Sequence, residues 1–266
     1  MKIQKIFCFF IIVLTFITSC TPENKKETGK DRSYADYIFS GARIAFEAGD
    51  VYGSLAQDVF KAARVPFREA ADMLEALRQG RVDAVLISND YARQLALSGL
   101  YEDFEYLILP EDIYVNKAAP IFHTAELRDL YNEWFLGAVA DGTWNEVVNR
   151  WIGTPLPGDD EIPRFNLTGE NGILRVCDTG NYPPLSYYDN HGNIVGFDMD
   201  MVYRFAQHLG KKVEIIIVSY DAIPSFVASG RADMSAATQA ITDQRTNMIF
   251  GEPSIITQAA LIVLKK

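Results

Sequence analysis

Cysteine is scarce in this chain, with three among 266 residues. Cys8 lies in the apolar stretch near the N-terminus and Cys20 directly after it. Only Cys177 remains for the body of the chain, so no intramolecular disulfide staples the fold there. No His/Asp pair is placed to activate Cys177, which reads as a small buried apolar residue rather than a nucleophile. Histidine is equally thin. His123, His191 and His208 are scattered without ligand spacing. There is no H-E-x-x-H, no P-loop and no Gly-rich dinucleotide fingerprint after a strand, so neither a metal nor a cofactor is expected. Basic charge is also short, 25 Lys and Arg against 35 Asp and Glu for a net charge of −10. Nothing basic is clustered to neutralise phosphates, which argues against a nucleic-acid partner.

The apolar run Ile6–Ile17 is too short to span a bilayer comfortably. Lys2 and Lys5 precede it, and Ile17-Thr18-Ser19-Cys20 follows. This resembles a bacterial lipobox, which implies a signal peptide over residues 1–19 and lipidation of Cys20 as the mature N-terminus. The expected location is the cell envelope, anchored to a membrane by lipid and facing the periplasm or the extracellular side. Residues 20–33 are polar, lack periodicity and read as a flexible tether.

What is present is an internal repeat. Leu77–Ser88 runs L-R-Q-G-R-V-D-A-V-L-I-S and Phe226–Ala237 runs F-V-A-S-G-R-A-D-M-S-A-A. Each is a helix end, a Gly-Arg-x-Asp turn and a small or apolar strand. Arg43–Asp50 and Arg175–Tyr182 form a second recurring pair, strand into loop. Two similar α/β units imply a cleft between them, where small ligands usually bind.

Periodicity places strands at 42–46, 82–88, 105–109, 174–177, 213–218, 232–237 and 259–264. Helices are placed at 52–63, 68–79, 91–99, 126–136, 144–151, 199–209 and 223–229. Gly80 suits the left-handed end of the second helix. Ala140-Asp141-Gly142 breaks a helical pair, and Gly153–Pro163 is a proline-rich connector. A hairpin turn is expected at Asp189–Gly192. Asp198 is expected to cap the helix whose apolar stripe is Met201, Val202, Phe205 and Leu209. Alternating strands and helices imply mostly parallel sheets, with a ligand at their carboxyl ends.

Residues 172–264 resemble the first half of a family-3 periplasmic solute-binding protein. The resemblance rests on L-R-V-C-D-T-G-N-Y-P-P-L-S-Y, G-N-I-V-G-F-D-M-D-M, S-G-R-A-D-M and A-I-T-D-Q-R-T-N-M-I-F-G-E-P. Residues 40–153 resemble the second half, on G-A-R-I-A-F-E-A-G, L-R-Q-G-R-V-D-A-V-L and A-D-G-T-W-N-E-V-V-N-R-W-I-G. The resemblance implies a two-lobed α/β fold of the type 2 periplasmic-binding-protein kind, each lobe a mostly parallel sheet flanked by helices. The halves stand in circularly permuted order. Residues 34–116 then form one lobe, 117–153 helices that pack on the other, 154–169 a linker, and 170–266 the other lobe. The permuted reading also places both chain ends, near Ser33–Ser40 and Lys265–Lys266, at one hinge. It leaves the stretch near Asp112–Pro120 as the sole crossover. A fragment of a tandem array is the alternative reading of the same order.

The resemblance assigns a ligand carboxylate to Arg245, with further donors from Thr238 and the backbone of Ala240. Tyr182 and Tyr220 are candidate ring walls, and Asp178 and Thr179 lie on the same loop as Tyr182. In the other half, Gly49, Asp50 and Val51 open a helix whose N–H groups would favour an anion unless Asp50 occupies them. Ser88 stands where amino-acid binders carry an aspartate for the ammonium group, and Asp90 is a possible substitute. The implied function is capture of a small polar, carboxylate-bearing solute, an amino acid or a related compound. Delivery would be to an ABC transporter or a membrane sensor. An enzyme resembling the cyclohexadienyl dehydratases is the alternative, and Asn89 rather than a glutamate after Ser88 counts against it. A sensory or degenerate binding module is a third reading.

Overall fold

The computed structural model describes residues 33–38 and 41–265. The signal-peptide and Cys20 expectations lie outside the described residues.

The first lobe is built from β1 (Arg43–Glu47), α1 (Tyr52–Asp58), β2 (Ala63–Phe67), α2 (Ala70–Arg78), β3 (Ala84–Ser88), α3 (Asn89–Ser98) and β4 (Phe104–Ile108). β1 lies parallel between β2 and β3. β3 is buried at all five positions, as a strand covered on both faces must be. Val85 and Ile87 point to Met73, Leu74 and Leu77 of α2 and to Tyr91 and Leu95 of α3. Ala84 and Leu86 point the other way, to Tyr52 and Leu55 of α1 and to Phe60. The first helix ends at Asp58, short of the expected Ala63. The chain turns at Lys61, whose φ is +54°, and 63–67 joins the sheet as β2. That strand escapes a periodicity reading because it is an edge, mostly exposed and interrupted by Pro66.

β5 (Val115–Ala119) and β6 (Ile121–Phe122) carry the chain into the second lobe. There α4 (Ala125–Ala140) and α5 (Thr143–Trp151) meet at Gly142, at the break expected from the sequence. Next come β7 (Ile173–Asp178), β8 (Asn181–Tyr182), β9 (Ser186–Tyr188), β10 (Ile194–Val195) and α6 (Phe197–His208). β11 (Lys212–Ile217), α7 (Ile223–Ala228), β12 (Met234–Ser235), β13 (Gln239–Ala240), β14 (Ile249–Phe250) and β15 (Ile255–Leu264) complete the chain. The second sheet has the order β11-β7-β12-β6-β14. Tyr131, Phe135, Trp151 and Phe205 join α4, α5 and α6 into one core over it. The predicted stripe of α6 is buried at Met201, Val202 and Phe205.

A buried charge locks α5 to α6. The Asp200 side chain is 1% exposed. It accepts hydrogen bonds from Arg150 Nη1 at 2.9 Å, Trp151 Nε1 at 3.0 Å and Arg204 Nε at 2.7 Å. The repeated motifs also find a common role. Asp83 accepts from the backbone N–H and guanidinium of Arg43, and Asp233 does the same for Arg175. Each Gly-Arg-x-Asp turn thereby fixes the start of its neighbouring strand.

Four expectations change. The sheets are mixed rather than mostly parallel, because β15 runs antiparallel to β3, β4 and β5, and β6 antiparallel to β12 and β14. These strands arrive from the hinge directly, with no helical crossover to turn them parallel. The last strand starts at Ile255, not Ala259, and belongs to the first lobe's sheet rather than completing the second. Crossing between lobes therefore occurs twice, through β5–β6 and into β15. Finally, the described ends lie away from the hinge. β15 leaves the hinge at Ile255 and runs outward to Leu264, opposite Phe104, at about 3.4 Å per residue. Tyr34 packs on Phe60 of the first lobe.

Candidate functional site

The carboxyl ends of β1 and β3 face those of β7 and β12 across a cleft, and a cavity of about 50 Å³ lies within it. Glu47 ends β1, Ser88 ends β3, and Asp50 and Tyr52 open α1. Tyr182, Ser186, Asp198, Tyr220 and Thr238 come from the second lobe, while Asn116, Ala118, Ile255 and Thr257 form a floor on the hinge strands.

Six of the expected site residues line this cavity: Asp50, Ser88, Thr179, Tyr182, Tyr220 and Thr238. Ser88 Oγ caps α3 by accepting from Tyr91 N at 3.3 Å and lies 3.1 Å from Tyr182 Oη. The Tyr182 ring rests against Tyr91, with centroids 4.5 Å apart. One phenol thus bridges the lobes. Tyr220 donates its hydroxyl to Thr238 O at 3.2 Å.

The other six stand behind the cavity. Asp178 is fully buried, and its Oδ1 accepts from Gly180 N at 2.6 Å and from Ser186 Oγ. It acts as a strut for the loop that carries Tyr182. Ala240 pairs with Ala118 on the hinge. Asp90 lies beside Thr257, and burial raises its pKa. Val51 packs into the core beneath α1. Arg245 spans the cleft. Its Nη2 donates to Gly49 O at 2.7 Å and its Nη1 to Ala240 O at 3.0 Å. Of the two possibilities at the start of α1, an anion site or occupation by Asp50, the structure has the second: the Asp50 carboxylate accepts from Val51 N at 2.5 Å.

Glu47, Tyr52 and Asp198 are functional candidates that the sequence reading missed. Glu47 lies one residue past the expected strand, at the carboxyl end where the ligand was expected but without a role of its own, and in the structure it is the last residue of β1. Asp198 was expected to be a cap. In the structure Gly196 holds that position, and Asp198 lies in the first turn of α6, 4% exposed. The N–H groups of Phe197 and Asp198 donate instead to Pro184 O and Leu185 O, at 3.0 and 2.9 Å. The loop does the work of a cap and frees the side chain. Asp198 Oδ2 accepts from Thr238 N at 3.3 Å.

The electrostatics of the cleft are acidic. Burial, followed by repulsion from Asp50, Glu69 and Asp221, pushes Glu47 up to about 9. Asp50 keeps some solvent contact as a residue, but its carboxyl lies deep in the cleft. Burial raises it to about 6, against the opposing pull of Val51 N and Arg245. Glu47 is therefore neutral near pH 7. Both raised values favour the fold at low pH. The Glu47 contribution is complete below its ordinary value of 4.5 and is lost as pH climbs through about 9, and that of Asp50 is complete below 3.8 and lost through about 6. Thermal melts between pH 5 and 9 should show stability falling with pH, and Glu47→Gln should flatten that slope. An unchanged slope in Glu47→Gln would remove Glu47 as its source.

Residues 174–266 match the family described as bacterial extracellular solute-binding proteins, family 3. Among curated proteins, a cyclohexadienyl dehydratase of Pseudomonas aeruginosa is 35% identical over 87 residues, 33% of this chain and 32% of that protein. The L-cystine-binding protein TcyJ of Escherichia coli K12 is 29% identical over 102 residues, 38% of each. The chain thus spans about a third of the length of the curated relatives it matches. Among solved structures, the arginine-bound domain 1 of TmArgBP is 26% identical. It covers 36% of this chain and 82% of that one, with a TM-score of 0.30.

Proposed function

Over residues 174–266 this chain belongs with the family-3 bacterial extracellular solute-binding proteins, and on that footing we propose that it captures a small polar, carboxylate-bearing solute in its interlobe cleft for an ABC transporter. The observation that carries the reading is Arg245. Its guanidinium stands behind a cavity lined from both lobes and donates to Gly49 O, Ala240 O and, at 3.5 Å, Gln239 Oε1; a carboxylate can replace the two carbonyls bidentately. Arg245→Ala is expected to weaken binding of a carboxylate solute at least tenfold, the equivalent of about 1.4 kcal/mol. Calorimetry against amino acids and carboxylic acids tests it, and undiminished affinity in Arg245→Ala sinks the assignment.

Lipid anchoring through Cys20 predicts that Cys20→Ala releases the protein from the membrane fraction. The permuted order predicts that a chain rearranged as residues 170–265, a short linker and residues 41–153 folds and binds the same solute.

An enzyme on this fold is the second reading, favoured by a neutral Glu47 facing the cavity and by the dehydratase similarity. A protonated carboxyl in a cleft can act as a general acid. Product appearing from a bound solute, with no transporter present, would decide for it.

A further inference from the structure

We propose that Tyr182 is an interlobe latch, a side chain of the second lobe seated in a socket of the first, and that with its neighbours at the rim it closes the cleft by contacts of the chain alone. Tyr182 belongs to β8, which pairs with β9 in the second lobe. Its ring nevertheless packs against the hydrophobic core of the first lobe, on Tyr91 of α3. Its hydroxyl meets Ser88 twice. The Ser88 backbone N–H donates to Tyr182 Oη at 3.3 Å, and Ser88 Oγ lies 3.1 Å from it. A tyrosine buries a large apolar body and needs a partner for its hydroxyl. Atoms of the first lobe meet both needs, so both are lost when the lobes part.

Two bonds flank the socket. Asn181, the residue before the latch, donates its side-chain amide to the Glu69 carboxylate of the first lobe. Arg245 reaches across to Gly49 O at 2.7 Å. Beside that bond the two backbones nearly touch. A Cβ on Gly49 would lie 2.8 Å from Cα of Asp221, a second-lobe residue, and the φ of Gly49 is +86°. Only glycine lets the lobes seat this closely here. A conformational equilibrium shifts by contacts that differ between its states, and all of these belong to the closed state. The latch does not depend on which solute binds, so its test needs none.

The test is pulsed electron paramagnetic resonance on the full chain, denatured, dialysed and refolded to remove any co-purified solute. Spin labels go on α2 and α7 through Asp72→Cys and Ser225→Cys, with Cys8→Ala and Cys20→Ala; Cys177 is buried. The refolded protein should show one short interlobe distance, with less than about a tenth of the molecules open. Tyr182→Phe keeps the ring and loses the hydroxyl, and should raise the open fraction about threefold to tenfold. Tyr182→Ala should raise it further. Gly49→Ala should hold most molecules open. Gly99→Ala, at φ +68° with nothing within 4 Å of the added carbon, should leave the distance unchanged. An open refolded protein overturns the proposal and leaves the solute-binding reading standing. A protein that stays closed in Tyr182→Phe and Gly49→Ala overturns it as well, because other contacts then do the closing.

Discussion

Replacing Asp200 by alanine is expected to lower the unfolding free energy by about 3–5 kcal/mol, the usual cost of stranding buried partner charges. The Asp200 side chain is 1% exposed and holds Arg150, Arg204 and Trp151 together. Both guanidiniums are roughly a fifth exposed, too little to regain full hydration when their acceptor is removed. Glu146 can hold one edge of each, at 2.7 and 3.2 Å, so the loss should fall short of complete unfolding. Asp200→Asn keeps the shape and one acceptor and should cost less. Urea unfolding of the three proteins measures this. A loss below about 1 kcal/mol in Asp200→Ala would mean that water replaces the carboxylate and that the cluster does not hold α5 against α6.

The second large effect is expected at Gly196. Its φ is +127°, and a Cβ there would lie 2.4 Å from Leu185 O and 2.8 Å from Pro184 O. Those are the carbonyls that satisfy the first turn of α6. Gly196→Ala therefore combines backbone strain with overpacking, together about 2–4 kcal/mol. Its effect should reach the cavity, because Leu185, Ser186 and Asp198 all line it. Gly192→Ala is the comparison: φ is +80°, but nothing lies within 4 Å of the added carbon. Solute affinity should fall in Gly196→Ala and hold in Gly192→Ala. Equal behaviour of the two would remove close packing from the explanation.

Elements with a strong period were legible in the sequence: α2, α5, α6 and the buried strands β3 and β7 all lie where the pattern put them. The repeated Gly-Arg-x-Asp turns were visible as text, but not their bond to Arg43 and Arg175, since the pairing is set by which strands become neighbours. β2 was hidden by exposure and Pro66, β5 by its polar, half-exposed V-N-K-A-A sequence, and β6 by its length of two residues. The site was half legible for a similar reason. Strand ends mark the cleft, so Asp50, Ser88 and Tyr182 were found. Whether a side chain turns into the cavity or behind it depends on local contacts. Asp178 is consumed by Ser186 and Gly180, whereas Asp198 is freed by the carbonyls of Pro184 and Leu185.

The two crossings between lobes are not independent strings. β5 and β15 hydrogen-bond to each other from Ile255 opposite Ala118 to Gln258 opposite Val115, and β13 flanks β5 on its other side. A three-stranded ribbon of this kind resists shear and stretching along its strands but flexes across its thickness, as a leaf spring does. Opening of the cleft should therefore follow a single arc rather than a free swing. Distances measured between spin labels on the two lobes, at several solute concentrations, should change in fixed proportion to one another. Amides within the ribbon should stay protected from hydrogen exchange throughout, while those around Gly49 and Arg245 become labile whenever the cleft opens.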